Sequence, residues 1–127
     1  VVYYNDSKGT NPDAAIKGIQ AMNRPTLLIG GGYDKQSGYD EWIEAFDGKV
    51  RYLVLIGQTR DKIAECAKAH GFYDIMYAED MSEAVRVCAS YANMGDNVLL
   101  SPACASWGMF KNYEERGRIF KECVRSL

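Results

Sequence analysis

At 127 residues, the chain fits one domain and leaves little room for a second. Its 47% hydrophobic content, 25% charged content and nine tyrosines describe a packed globular core rather than a disordered segment. A net charge of −2 with no local lysine and arginine cluster excludes a nucleic-acid footprint, and no apolar run approaches the ~18 residues a membrane span needs.

Taken in chain order, strand-like runs alternate with helix-like segments. The first strand is expected over Val1 to Tyr4. The next helix has Asn11 as N-cap and Pro12 at its first position, with Ala15, Ile16, Ile19 and Met22 as an apolar stripe. Thr26 to Ile29 ("TLLIG") and Tyr52 to Ile56 ("YLVLIG") are continuous apolar runs ending in glycine, as central strands covered on both faces require. Between them Tyr39, Trp42, Ile43 and Phe46 mark a second helix. Ile63, Cys66, Ala67 and His70 mark a third, ended by Gly71. Asp74 to Tyr77 reads as a strand, followed by a helix carrying Val85, Cys88, Ala89 and Ala92, with Asp80 and Glu83 spaced as a capping box. Asn97 to Leu100 is the fifth strand, and Tyr113, Gly117, Phe120, Val124 and Leu127 line the last helix.

This alternation predicts an α/β fold: an open, mostly parallel, Rossmann-like sheet with helices on both faces, three layers in all. Cys66, Cys88 and Cys123 fall on apolar helix faces and are expected as buried thiols of a reducing cytoplasm. With no C-x-x-C pair and one histidine, no structural zinc site is expected. His70 is expected as a packed or surface residue. Met76, Met94 and Met109 are expected in core or edge packing.

In open α/β sheets ligands sit beyond the carboxyl ends of the strands. Three loops there carry unusual chemistry. "NDSKGTN", Asn5 to Asn11, brings Lys8, Thr10 and the flexible Gly9 to a helix N-terminus, a setting that favours an anion. "GGGYDKQSGYDEW", Gly30 to Trp42, follows three glycines with Lys35, although neither G-x-x-x-x-G-K-[ST] nor G-x-G-x-x-G occurs. "LLSPACASWGMFKNYEERG", Leu99 to Gly117, offers small residues and the hydroxyls of Ser101 and Ser106. No G-x-S-x-G and no base accompany Ser101, Ser106 or Cys104, so hydrolase chemistry is not expected. Hydroxyls, amides and two lysines suit a small carboxylate or phosphate. A solvated Lys35 and a purely capping role for the first loop remain open on these residues alone.

Read together, "YYNDSKGTNPDAAIKGI", "LLIGGGYDKQSGYDEWI" and "GDNVLLSPACASWGMFKNYEERGRIFKECV" resemble, in order and spacing, the C-terminal domain of the Mur ligases over essentially the whole chain. "SPACAS" followed by "FKNYEERG" is most similar to the D-glutamate-adding members, and the D-N-P-R motif of the diaminopimelate-adding relatives is absent. The resemblance implies a cytoplasmic, ATP- and Mg2+-dependent ligase of peptidoglycan synthesis that joins D-glutamate to UDP-N-acetylmuramoyl-L-alanine. Residues 1–127 would be its amino-acid-binding C-terminal domain, without the N-terminal and central ATP-binding domains and inactive alone.

By the same resemblance Lys35 pairs with the D-glutamate side-chain carboxylate, with Thr10 and Ser106 as hydroxyl partners and Trp107 and Tyr113 as further contacts. Asp6 contacts the ATP ribose, Lys8 is the catalytic lysine near the phosphates, and no residue here is a metal ligand. Gly9, Trp107-Gly108-Met109 and Tyr113 depart from the family pattern, which has alanine, a Leu-Asp-Gln-like stretch and phenylalanine at those places. The alternatives are another Mur or folylpolyglutamate-type ligase, or a non-catalytic nucleotide- or flavin-binding α/β module.

Overall fold

A computed structural model describes residues 1–127. Five strands, β1 (Val2–Asn5), β2 (Thr26–Gly30), β3 (Val50–Leu55), β4 (Ile75–Tyr77) and β5 (Asn97–Leu100), alternate with α1 (Pro12–Gln20), α2 (Asp40–Glu44), α3 (Arg60–Ala69), α4 (Met81–Tyr91) and α5 (Tyr113–Arg125). The sheet is parallel throughout, in the order β1-β5-β2-β3-β4. All of β2 and β5 is buried, as the apolar runs predict. β3 begins at Val50, two residues before its expected start, because the pairing with β2 opens through a register shift at Thr26 and Leu27.

Side chains alternate across the sheet into two cores. Leu28, Leu53, Leu55 and Leu99 meet α1, α2 and α3 on one face. Leu27, Ile29, Val54, Val98 and Leu100 meet α4 and Phe120 of α5 on the other. The division follows from strand order. Three successive steps, β1 to β2, β2 to β3 and β3 to β4, travel the same way across the sheet, and the return from β4 to β5 travels back, so its helix lies on the opposite face. The reversal places the loops after β1, β5 and β2 side by side.

Helix ends show how local chemistry sets boundaries. The Asn11 side chain accepts from Ala14 N (2.9 Å), and Asp80 accepts from Glu83 N (2.8 Å). The Glu83 carboxylate accepts from Glu79 N rather than Asp80 N, so the box closes one residue earlier than its spacing implies. Asn112 caps α5 in the same way, with Glu115 reaching back to Lys111 N.

Four expectations fail at the surface. α5 ends at Arg125, which leaves Leu127 57% exposed. Met94, in the turn before β5, is 99% exposed. Cys66 and Cys123 are half-buried at helix flanks, whereas Cys88 and Cys104 are the fully buried thiols.

α5 is bolted to the sheet end by Arg116, which is 1% exposed. Its Nε donates to Ser7 Oγ (3.0 Å), Nη2 to Ser7 O (2.7 Å) and Nη1 to Cys104 O (2.9 Å). Ser7 Oγ in turn donates to Tyr113 O (2.6 Å). Burial lowers the guanidinium pKa to about 10, still protonated at neutral pH. At the next residue, α5 passes so close to the β1 loop that a Cβ on Gly117 would lie 2.8 Å from Asn5 Nδ2 and 3.2 Å from Ser7 Cβ.

Two outcomes follow for stability. Arg116→Met should lose roughly 2–5 kcal/mol in urea titration, because buried carbonyls go unpaired, and Arg116→Lys should recover only part, since one ammonium cannot span three acceptors. Gly117→Ala should cost about 1–3 kcal/mol despite alanine's better helix propensity, because the added methyl meets Asn5.

Candidate functional site

The loops following β1, β2 and β5 are stitched into one surface by backbone bonds. Asp6 N donates to Leu100 O (2.7 Å), Ala103 N to Gly9 O (2.8 Å), Gly31 N to Pro102 O (2.9 Å) and Tyr33 N to Ala105 O (3.0 Å). Ser101 to Ser106 are all buried, so the small residues of this stretch serve close packing of loops. Several positions carry positive φ, Gln36 and Gly32 among them, and two are tightly constrained. Gly31 has φ +99°, and a Cβ there would fall 2.2 Å from Ile56 O, so only glycine fits. Ala103, 1% exposed, holds φ +61°, a conformation costly for a residue with a Cβ, and is kept there by its bond to Gly9.

Lys35 is exposed, and its ammonium lies 5.9 Å from the centre of the Trp107 ring, within cation–π range. Trp107 is itself braced edge-on by Tyr33, ring centres 5.3 Å apart. The preceding residue, Ser106, is 5% exposed. No carboxylate pairs with Lys35. The acid beside it in sequence, Asp34, is otherwise engaged: it accepts from Gln36 N (2.8 Å) and from Lys62 Nζ (3.2 Å), which together hold its pKa below the usual carboxylate value.

A second group forms where the β1 loop meets α5. Asp6, Lys8 and Tyr113 line an open cleft of about 520 Å³ with Arg118, Lys121 and Arg125. The Asp6 carboxylate accepts from Ser101 Oγ (2.7 Å), and its remaining acceptor positions are available to a hydroxyl. Gly9 and Gly18 leave room for this pair, since a Cβ on either would come within 2.7 or 2.8 Å of Ser101 Oγ. The alanine of the family pattern at position 9 therefore requires Ser101 or Asp6 to shift in this chain. Lys8 is exposed and has no acid partner.

The structure thus joins Lys35 with Trp107, the residue after the buried Ser106, and joins Asp6 with Lys8 and Tyr113. Tyr113 falls in the second group, although the resemblance puts it beside the amino acid. Thr10 is half-buried and turns the chain between them, its N donating to Lys8 O (2.7 Å). The α1 N-terminus is not the anion cradle expected from its sequence: Pro12 has no N–H, Asn11 takes that of Ala14, and Asp13 adds negative charge to the first turn. The lysines carry the attraction instead.

Cys104 is held as a neutral thiol. Burial raises its pKa, against bonding to the hydroxyls of Thr59 (3.4 Å) and Tyr39 (3.3 Å) that works the other way. Sequence reading missed Arg116 and Ser7, the residues that set the spacing of the whole surface. An arginine among glutamates in "YEERG" reads as one more solvated charge, although position 116 lies three residues after Tyr113 and four before Phe120, on the face of the apolar stripe.

Comparison with known proteins places the chain in a family. Residues 1–104 match the family described as Mur ligase, glutamate ligase domain. The chain is 65% identical over 127 residues to UDP-N-acetylmuramoylalanine–D-glutamate ligase of Lachnoclostridium phytofermentans, covering 100% of this chain and 28% of that one. It is 52% identical to the enzyme of the same name from Clostridioides difficile, with the same coverage. The chain therefore spans about 28% of the length of these curated relatives. Among solved structures, UDP-N-acetylmuramate–alanine ligase MurC of Thermotoga maritima superposes with a TM-score of 0.59 at 15% identity, over 91% of this chain and 25% of that one. Folylpolyglutamate synthase of the same organism gives 0.54 at 15% identity, over 73% of this chain and 23% of that one, and both likenesses speak for the fold alone. With the family matched from the first residue through the β5 loop, this chain belongs to the Mur ligase, glutamate ligase domain family.

Proposed function

We propose that this chain is the amino-acid-binding, C-terminal part of an ATP-dependent ligase of cytoplasmic peptidoglycan synthesis, which joins D-glutamate to UDP-N-acetylmuramoyl-L-alanine. The observation that carries the reading is the unpaired Lys35 ammonium, held over Trp107 with its neighbouring acid already engaged. A dicarboxylic amino acid supplies the anion this cation lacks. Lys35 pairs with its side-chain carboxylate, Ser106 and Thr10 donate hydroxyl bonds, and Trp107 walls the pocket.

The Asp6 and Lys8 group takes the nucleotide side. Asp6 offers an acceptor to a ribose hydroxyl, and Lys8 offers a cation to a phosphate or to the charge that develops as amine meets acyl phosphate. Tyr113, in the same cleft, contacts ligand from the α5 side. ATP supplies the leaving group, and Mg2+ is held elsewhere in the ligase. This chain's residues bind, orient and exclude water rather than form the phosphate bond. The curated relatives, named for D-glutamate, favour that amino acid over the substrates of other ligases with this fold.

In the ligase that contains this chain, Lys35→Ala should weaken D-glutamate by roughly 2–4 kcal/mol, about a 30- to 700-fold rise in KM, with a smaller change in kcat. Because Lys35 is exposed, the melting temperature should hold. An unchanged KM returns Lys35 to an ordinary solvated lysine. Residues 1–127 alone should release no ADP or phosphate in a coupled assay with all three substrates, and turnover by them would overturn the division of labour proposed.

A further inference from the structure

On the face of the molecule formed by α2 and α3, four metal-binding side chains meet. Asp40 and Glu44 stand four residues apart on α2, and Cys66 and His70 four apart on α3 and its C-cap, so each pair projects from one helix face. Cys66 Sγ and His70 Nε2 converge on one oxygen, Asp40 Oδ1, at 3.5 Å and 2.8 Å. The ligand atoms of Asp40, Cys66 and His70 all lie within 4.8 Å of one another. On the far side of the imidazole, Nδ1 is 4.0 Å from Glu44 Oε1.

We propose that Asp40, Cys66 and His70 bind a zinc ion, with Glu44 orienting the histidine. Tetrahedral zinc, with bonds of about 2.3 Å to sulfur and about 2.0–2.2 Å to nitrogen and oxygen, sets its ligand atoms roughly 3.3–3.6 Å apart. The Cys66 to Asp40 separation of 3.5 Å already meets that requirement, His70 must withdraw by about half an ångström from its 2.8 Å bond, and the third edge, Cys66 Sγ to His70 Nε2, lies within 4.8 Å and must settle to the same span. The two hydrogens now shared with Asp40 Oδ1 occupy the space between the three ligands. On binding, the thiol releases its proton to solvent, and the neutral imidazole ligates through Nε2 with its hydrogen on Nδ1. Glu44 Oε1, 4.0 Å away, must approach by about 1 Å to accept that hydrogen, which would complete the outer-shell arrangement that fixes a metal-bound histidine.

A thiolate, an imidazole and a carboxylate select zinc or cobalt over magnesium or calcium, and water completes the fourth position. The helices need little rearrangement, because Ile43 and Phe46 of the α2 segment and Ile63 and Ala67 of α3 share one buried cluster. α2, five residues long and with no side-chain N-cap, is the element that a metal cross-link would steady most. The proposal is independent of the assignment of Lys35 and Asp6.

Cobalt(II) reports on the site directly. Added to residues 1–127 under reducing conditions, it should give thiolate-to-cobalt charge-transfer absorption in the near ultraviolet and tetrahedral visible bands, both displaced by equimolar zinc. Cys66→Ser should abolish the charge-transfer band, and Cys66→Ser or His70→Gln should weaken zinc at least about tenfold, with Glu44→Gln costing roughly tenfold. Cys123→Ser, which removes the other half-buried thiol, should change nothing. Each variant is first checked for a metal-free melting curve, and Asp40→Asn replaces any that fails to fold. An octahedral cobalt spectrum without charge transfer, or zinc affinity unaffected by Cys66→Ser, would overturn the site.

Discussion

A guanidinium with no carboxylate partner sits at the point where three segments of this chain cross. Arg116 donates to the Ser7 carbonyl and hydroxyl in the β1 loop and to the Cys104 carbonyl in the β5 loop, while its own helix closes the ring through Tyr113 O and Ser7. Taking a charge out of water is costly, and neutral carbonyls repay it less fully than an acid does. What the arrangement secures is geometry: a planar fork reaches acceptors on separate segments at once, which a lysine cannot do. Asp6, Lys8, Thr10 and Ser106 all hang from the segments held in this way. Arg116 takes no acid, and the carboxylate of this loop, Asp6, is bonded to Ser101 instead.

Strand order explains why these segments meet at all. β5 lies between β1 and β2, and the chain leaving both neighbours goes to the face opposite α5. The crevice between the two directions is where the loops after β1, β2 and β5 must run. Close approach there sets the residue types: Gly31 against the Ile56 carbonyl, Gly117 against Asn5, and Ala103 in a left-handed conformation. The "SPACAS" stretch is small because it is packed on all sides, and only at Trp107 does the loop reach solvent.

Elements whose identity rests on burial were the legible ones. β5 is found over Asn97–Leu100 as expected, and the apolar stripes of α1 and α4 face the sheet, as do Ile63 and Ala67 of α3 but not Cys66 and His70. Boundaries set by pairing were less legible, as at Val50, where a register shift in the partner strand extends β3. Of the site, the three loops could be located from topology, and the resemblance named Lys35 and Asp6, which the structure puts in different groups. Arg116 was missed because a charge reads as surface even where helix spacing puts it on the apolar face. The α1 N-terminus misled for a related reason: whether a helix end is free to hold an anion depends on what its own cap consumes.

The two groups of site residues differ in what they can achieve alone. Lys35 and Lys8 are exposed, and an ion pair in water contributes only about 0.2–1 kcal/mol. Micromolar affinity requires about 8 kcal/mol, so neither lysine nor both together hold a free amino acid or nucleotide tightly on this surface. The same contacts strengthen severalfold once a covering surface removes water, because the effective dielectric falls. Rigidity at the loop bases, through Arg116 and the inter-loop backbone bonds, means that such a surface meets charges already in place and pays no ordering cost for them. Under the proposed role of Lys35, discrimination would come from closure itself: a ligand without the second carboxylate would leave Lys35 buried against Trp107 with no anion, a state that costs more than it returns.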